Sequence, residues 1–393
     1  MACSIIIPVF NQLSFTDACL NAVFRTTPAN SEVEVIVVDN GSTDGTTEYL
    51  QRQSSKNSAL RIVSVGSNAG FSKACNFGAE ASRGDYLLFL NNDTIPLDGW
   101  LTHLLITASL PDVGIVGPKL VYPQTNTINH AGYVYNAGLH AFYPVYHREP
   151  PDFRGVTKER DFQAVLGACL LVKRPQFFAA GLFAPYGLED VDLCLKVRQQ
   201  GQRVVYNPLS TVLHHGSVTL SQSPPGTIPP TDTQGFEEHW PRNLLDSDDE
   251  RVYREDGFTL RRMQNGQIEL DENVAASNDF LAQAIHLRGA SEAVQKRELL
   301  QKALDLYPHN IRALHALLIF HRQRGDYLDA MRYAEILRRV EPGNFERHIA
   351  SAELALLAGN TEKAGQIIEH VRAFPDLPDP ICERLALLNG KLS

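Results

Sequence analysis

Through the first 120 residues, short apolar runs alternate with segments whose apolar residues recur at helical spacing. Strands are predicted at 4–9, 34–38, 60–65, 85–90 and 113–116, and helices at 16–25, 46–52, 73–82 and 98–109. The helix at 16–25 places Ala18, Cys19, Ala22 and Val23 on one face. The strands are apolar at nearly every position rather than at alternate ones. Strands of that kind are buried on both faces, so the expected fold class is α/β, a mostly parallel sheet with helices on both sides. In such sheets ligands bind beyond the carboxyl ends of the strands. Polar clusters stand at those ends: Pro8-Val9-Phe10-Asn11, Asp39-Asn40-Gly41-Ser42 and Asn91-Asn92-Asp93.

Residues 120–165 are rich in Tyr, Asn and Gly without clear period, and read as loops and short strands over the site. Residues 165–172 read as a buried strand or helix start, 187–201 contain a helix, and 203–213 form a strand ending in His214-His215. Residues 221–234 are Pro-rich and expected to be irregular. From about residue 273 only helical periodicity remains, and the sequence repeats itself. Pro308-His309-Asn310 recurs as Pro342-Gly343-Asn344, Gly325-Asp326 as Gly359-Asn360, and Ala330 as Ala364, each 34 positions on. That period is the length of the tetratricopeptide repeat, which residues 311–344 resemble. Each unit is a helical hairpin that must stack on its neighbours. With about three copies, a helical cap or dimerisation module is favoured over a peptide groove. The expected domains are 1–245, a linker at 246–272, and a helical domain at 273–393.

Composition narrows the function classes. Apolar residues are 44% and charged residues 21%, which suits globular domains and excludes a wholly disordered chain. The formal net charge of −9 argues against a nonspecific nucleic-acid binder. Cys3, Cys19, Cys75, Cys169, Cys194 and Cys382 form no CxxC pair and no zinc spacing, so they read as buried hydrophobes in a reducing compartment. No stretch approaches the ~18–20 apolar residues of a membrane span. The expectation is a cytoplasmic protein with at most peripheral contact to the membrane.

Eight segments in this order resemble the inverting glycosyltransferases of family 2, which have the GT-A fold: SIIIPVFN, VIVVDNGSTDGT, NAGFSKACNFGA, GDYLLFLNNDT, LGACLLVKR, GLEDVDLCLKVRQQG, LHHGSVT and FEEHW. The resemblance covers about residues 3–245. A dinucleotide-binding Rossmann site would need GxGxxG after the first strand, and PVFNQ has no glycine.

The resemblance implies roles residue by residue. Asp39 accepts a hydrogen bond from the donor's base, with Pro8, Phe10 and Asn11 nearby; an Asx turn is the bland alternative, stronger for Ser42 and Asp44. The loop at Asn68 and Gly70 lies against the nucleotide and Lys73 faces phosphate, although helix capping also explains Asn68. Asn91-Asn92-Asp93 stands where the family has its DxD motif, with Asp93 as a ligand for Mn2+ or Mg2+ on the leaving diphosphate. His214, preferred over His215, completes that shell. Asp190 is the general base for the acceptor hydroxyl, although acids at a helix start are also stabilising by themselves. Asp192 holds the helix or the metal shell. Gly167, Ala168, Gly187, Glu189 and Trp240 fall to the acceptor or sugar pocket, with Phe236 and His130 as weaker candidates.

The implied activity is metal-dependent transfer of a sugar from a nucleoside diphosphate donor to a glycan, lipid-linked glycan or protein. Deoxythymidine diphosphate–rhamnose and uridine diphosphate sugars are both open as donors. A nucleotidyltransferase should carry a Gly- and Arg-rich loop after the first strand. A decayed scaffold should have lost its aspartates, yet Asp39, Asp93 and Asp190 are all present. The C-terminal helices are left to a homodimer or a protein partner, and no nucleic acid is expected.

Overall fold

The computed structural model describes residues 1–28, 31–139, 141–184, 188–216, 234–241, 244–262, 268–375 and 377–392. Gly187 and nearly all of the Pro-rich 221–234 segment lie outside them. The chain divides into two compact units, residues 1–156 with 160–246, and residues 157–159 with 247–393.

The first unit is built from β1 (Cys3–Val9), α1 (Leu13–Thr26), β2 (Val33–Asp39), α2 (Thr46–Ser54), β3 (Leu60–Ser64), α3 (Phe71–Ala81), β4 (Tyr86–Leu90), β5 (Thr94–Pro96) and α4 (Trp100–Ala108). There follow β6 (Val113–Tyr122), β7 (Thr127–His130), β8 (Tyr133–Asn136), β9 (Ala141–Pro144), β10 (Arg160–Asp161), β11 (Cys169–Lys173), α5 (Arg174–Ala179), α6 (Glu189–Gln199) and β12 (Arg203–His214). The main sheet runs β10-β12-β6-β11-β4-β1-β2-β3, with β5 on β12 and β7 on β6.

Residue alternation explains why the strands are apolar throughout. Ile5, Ile7, Val35, Val37, Leu88 and Leu90 enter one core with Leu20 and Val23 of α1, Leu50 of α2 and Trp100 and Leu104 of α4. Ile6, Ile36, Val38, Leu87 and Phe89 enter the other with Cys75 of α3, Phe177 of α5 and Val191 of α6. Side chains of successive residues point to opposite faces, so a sheet with two covers needs both sets apolar.

The α/β class expected from the pattern is present, but the sheet is mixed. β1, β2, β3 and β4 pair in parallel, as do β6 and β12, whereas β11 runs antiparallel between β4 and β6. Apolar content records burial on two faces and carries no strand direction, which is why β11 looked like its neighbours. β6 also extends well past the predicted 113–116, because its second half pairs with β12. One consequence places the site. β11 is antiparallel to both β4 and β6, so the carboxyl ends of β1, β2, β4, β6 and β12 share one rim, together with the amino end of β11.

In the second unit, helices Ala293–Leu306, Tyr327–Val340 and Thr361–Arg372 begin 34 residues apart, as do Ile311–Arg324 and Phe345–Leu357. Gly325 and Gly359 both have positive φ where a helix ends, and Ala330 and Ala364 are fully buried. Val274–His286 precedes this array and Asp379–Asn389 follows it. The span 246–272 carries a helix, Asp249–Glu255, and a hairpin of β13 (Phe258–Arg262) and β14 (Ile268–Glu272).

Candidate functional site

The rim loops are tied together by side chains that the sequence had marked for ligands. The backbone N–H of Asn11 donates to Ser42 Oγ at 2.9 Å, and Asn11 Oδ1 accepts from the N–H of Thr43 at 2.7 Å. Asp44 accepts from the N–H of Leu13 at 3.1 Å, which lets α1 begin three residues before its predicted start. Partial burial pushes the Asp44 carboxyl up, but the Thr46 hydroxyl, which donates at 2.6 Å, and the N–H groups of Leu13 and Thr46 outweigh it and hold Asp44 below the ordinary carboxylate range. Asn11 and Gln12 both take left-handed backbone, at φ 59 and 62.

Asp39 closes β2 and is 3% exposed. Its Oδ1 accepts from the N–H of Ser42 at 2.9 Å and its Oδ2 from the hydroxyl of Thr47. The Asx-turn reading thus applies to Asp39 itself and not only to its neighbours, although each oxygen retains a second lone pair. Asn40, which sequence reasoning passed over, joins this turn to the next loop. It donates to Asn68 Oδ1 at 2.9 Å and accepts from the N–H of Ala69 at 2.9 Å. Asn68 also accepts from the N–H of Gly70. Gly41 has φ +87, and a Cβ there would stand 2.7 Å from the Cα of Ser67, so the two loops touch backbone to backbone. Pro8 is buried and Phe10 half-buried beside this rim. Lys73 is exposed in the first turn of α3.

At the end of β4, Asn91 donates its N–H to the carbonyl of Ala168 at 2.9 Å, and its Oδ1 is buried without a hydrogen-bond partner among the described residues. Asn92 reaches back to Thr16 at 3.1 Å. Asp93 is 7% exposed and lies beside β12: His214 pairs with Thr94, and the N–H of His215 donates to the Asp93 carbonyl at 3.1 Å. This register sets His214 Nε2 3.5 Å from Asp93 Oδ1. His214 Nε2 is buried and has no hydrogen-bond partner among the described residues. Its other ring nitrogen, Nδ1, is 2.8 Å from Asn129 Oδ1. His215 faces elsewhere, edge-on to Phe15 and 2.9 Å from Gln124.

The second half of the site begins one residue from the Asn91–Ala168 bond. The N–H of Gly167 donates to Asp190 Oδ2 at 2.8 Å, and the N–H of Val191 donates to Asp190 Oδ1 at 2.8 Å. A Cβ on Gly167 would lie 3.1 Å from that of Asp190, so glycine permits this approach. Burial raises the Asp190 carboxyl above its usual range, and these N–H groups pull it partly back. Glu189 is pushed up to about 7, by burial first and then by the charge of Asp190. His130 is buried and neutral, lowered to about 3 by desolvation, and its Nε2 accepts from the N–H of Leu166 at 3.0 Å.

Trp240 and Phe236 are 4% and 5% exposed, so neither ring offers a face to a sugar. Trp240 donates Nε1–H to Asp192 at 2.8 Å, and Asp192 also meets Lys196 at 2.7 Å. These contacts tie Asp192 to Trp240 and to Lys196 one turn further along α6, which fits its helix-holding role.

Two carboxylates, a histidine and a set of knitted turns therefore gather at one rim of a doubly covered sheet. The profile of glycosyl transferase family 2 matches residues 4–158. Over 220 residues the chain is 30% identical to N-acetylglucosaminyl-diphospho-decaprenol L-rhamnosyltransferase of Mycobacterium tuberculosis, covering 49% of this chain and 69% of that one. The chain belongs to glycosyl transferase family 2. It is also 33% identical over 227 residues to the uncharacterized protein y4gI of Sinorhizobium fredii, covering 55% of this chain and 24% of that protein. A match to glycosyltransferase AglE of Haloferax volcanii is 39% identical over 123 residues, 31% of this chain and 40% of the relative. The chain thus spans well under half the length of these two relatives.

Proposed function

We propose that this chain is a divalent-cation-dependent, inverting glycosyltransferase. Asp93 and His214 hold the cation, Asp190 accepts the acceptor's proton, and the Asp39 and Asn68–Gly70 loops flank the nucleotide. Pro8, Phe10, Asn11, Lys73, Asn91 and Asn92 complete the donor side, and Gly167, Ala168 and Glu189 the acceptor side. The observation that carries the reading is the pairing of Asp93 with His214 across the β5–β12 register, linked through Asn91 and Ala168 to Gly167 and Asp190.

The residues fit a cation in one specific respect. A buried imidazole nitrogen without a partner faces a carboxylate oxygen at 3.5 Å, which is a gap between two donors of electron pairs. Among the described residues no group of three or more His, Cys, Asp or Glu side chains forms a cage. Mn2+ and Mg2+ suit that sparse set, because they take one or two protein ligands with phosphate and water. When bound, the cation supplies charge stabilisation to the departing diphosphate.

The protein's own part is positional. Asp190 is held by two backbone N–H groups and takes the proton as the acceptor oxygen bonds to the anomeric carbon. The bond from that carbon to the diphosphate breaks on the opposite face, so configuration inverts in one displacement. The Mycobacterium relative, an L-rhamnosyltransferase named for a diphospho-decaprenol-linked substrate, supports a deoxyhexose donor and a lipid-linked acceptor. No helix among the described residues is long and apolar enough to cross a membrane. The 34-residue helical pairs support a tetratricopeptide-like array that serves as a cap, a dimer contact or a protein-docking element.

The test is donor turnover with Mn2+ over a panel of deoxythymidine, uridine and guanosine diphosphate sugars. Asp190→Asn should abolish transfer and leave donor-induced thermal stabilisation in place. Near-normal turnover by that variant would remove Asp190 from the mechanism.

A further inference from the structure

β7 supplies a residue that no motif singled out. Asn129 is 8% exposed, and its backbone carbonyl accepts from His147 Nδ1–H at 3.0 Å. Its side-chain oxygen lies 2.8 Å from His214 Nδ1. A carboxamide oxygen only accepts hydrogen bonds, so Nδ1 must carry the proton. A neutral imidazole carries one proton, which leaves Nε2 with its lone pair. That nitrogen is the one 3.5 Å from Asp93 Oδ1 and without a hydrogen-bond partner among the described residues.

We infer that Asn129 is a positioning residue: it fixes the tautomer and the ring plane of His214, so that Nε2 and Asp93 Oδ1 present lone pairs to a common divalent cation. The inference rests on the cation reading given under Proposed function. Histidine ligands generally donate their second ring N–H to an outer partner, which orients them and raises their basicity. Asn129 is well placed for that part: its neighbours Ile128 and His130 pair with β6, Asn129 is the extra residue at the irregularity between them, and His147 holds its carbonyl. The next residue serves the other half of the site. His130 accepts through Nε2 from the N–H of Leu166, next to the Gly167 that holds Asp190.

The test starts from metal-free wild type. Long-range proton–nitrogen spectra at pH 8 should show His214, assigned by its loss in His214→Gln, protonated at Nδ1. Asn129→Leu should move the proton to Nε2 or mix the two forms, whereas Asn129→Asp, which keeps an acceptor, should preserve Nδ1–H. Calorimetry with Mn2+ and uridine diphosphate as probes should show Mn2+ affinity about 10- to 100-fold weaker in Asn129→Leu and largely restored in Asn129→Asp. A wild-type His214 protonated at Nε2, or at both nitrogens, overturns the inference with no variant needed. If wild type binds Mn2+ and Asn129→Leu binds it equally well, the role of Asn129 falls and the cation reading stands. If the tautomer is as expected but wild type binds no Mn2+, the cation reading falls and takes the function assigned to Asn129 with it.

Discussion

Replacing Glu189 by Gln should stabilise the first unit at alkaline pH and do little at acid pH. Glu189 is half-buried at the start of α6 beside Asp190, and its carboxyl is raised from 4.5 to about 7, by burial first and by Asp190 second. A carboxyl whose folded value lies above its unfolded one contributes stability that is complete below about 4.5 and is lost as pH rises through about 7. At pH 8 the charged side chain therefore costs the fold about 3 kcal/mol at most, and water at its exposed edge reduces this to about 1–2 kcal/mol. For a unit of this size that corresponds to a rise of ~3–6 °C in Tm for Glu189→Gln at pH 8, and less than about a third of that at pH 5. Trp100 and Trp240 are the two tryptophans of the chain and both lie in the first unit, so tryptophan fluorescence, excited selectively over tyrosine, follows its unfolding. An equal shift at pH 5 and pH 8, or none at pH 8, would refute the assignment of a strained charge to Glu189.

Two further substitutions test the packing around α6. Gly167→Ala introduces a methyl 3.1 Å from the Cβ of Asp190 and should cut turnover at least tenfold while changing donor KM by less than about threefold; an unchanged turnover number would show that the Gly167–Asp190 contact does not set the base. Trp240→Phe removes the donor to buried Asp192 and should destabilise by about 1.5–3 kcal/mol, read by circular dichroism melting. A wild-type Tm with lost acceptor affinity would instead point to sugar stacking.

Much of this protein was determined by the order of its residues. Two-sided apolar strands demand a sheet with two covers, so Ile5 and Ile6 had to enter different cores whatever the neighbouring strands were. The 34-residue recurrence of Gly325 as Gly359 and Ala330 as Ala364 fixed the spacing of the helical pairs, because each marks a turn or a close contact that local chemistry requires. The polar strand ends likewise marked the rim on which Asp39, Asp93 and Asp190 stand.

What the sequence left open depended on pairings between distant residues. β11 is apolar in either direction, and only its place between β4 and β6 made it antiparallel and brought Gly167 to Asp190. Trp240 reads as amphipathic in isolation, and the carboxylate of Asp192, 48 positions away, turned it inward. His214 and His215 are equivalent in a string of letters. The β5–β12 register sent one toward Asp93 and Asn129 and the other toward Phe15, since adjacent side chains on a strand leave on opposite faces and only tertiary contact decides what each face meets.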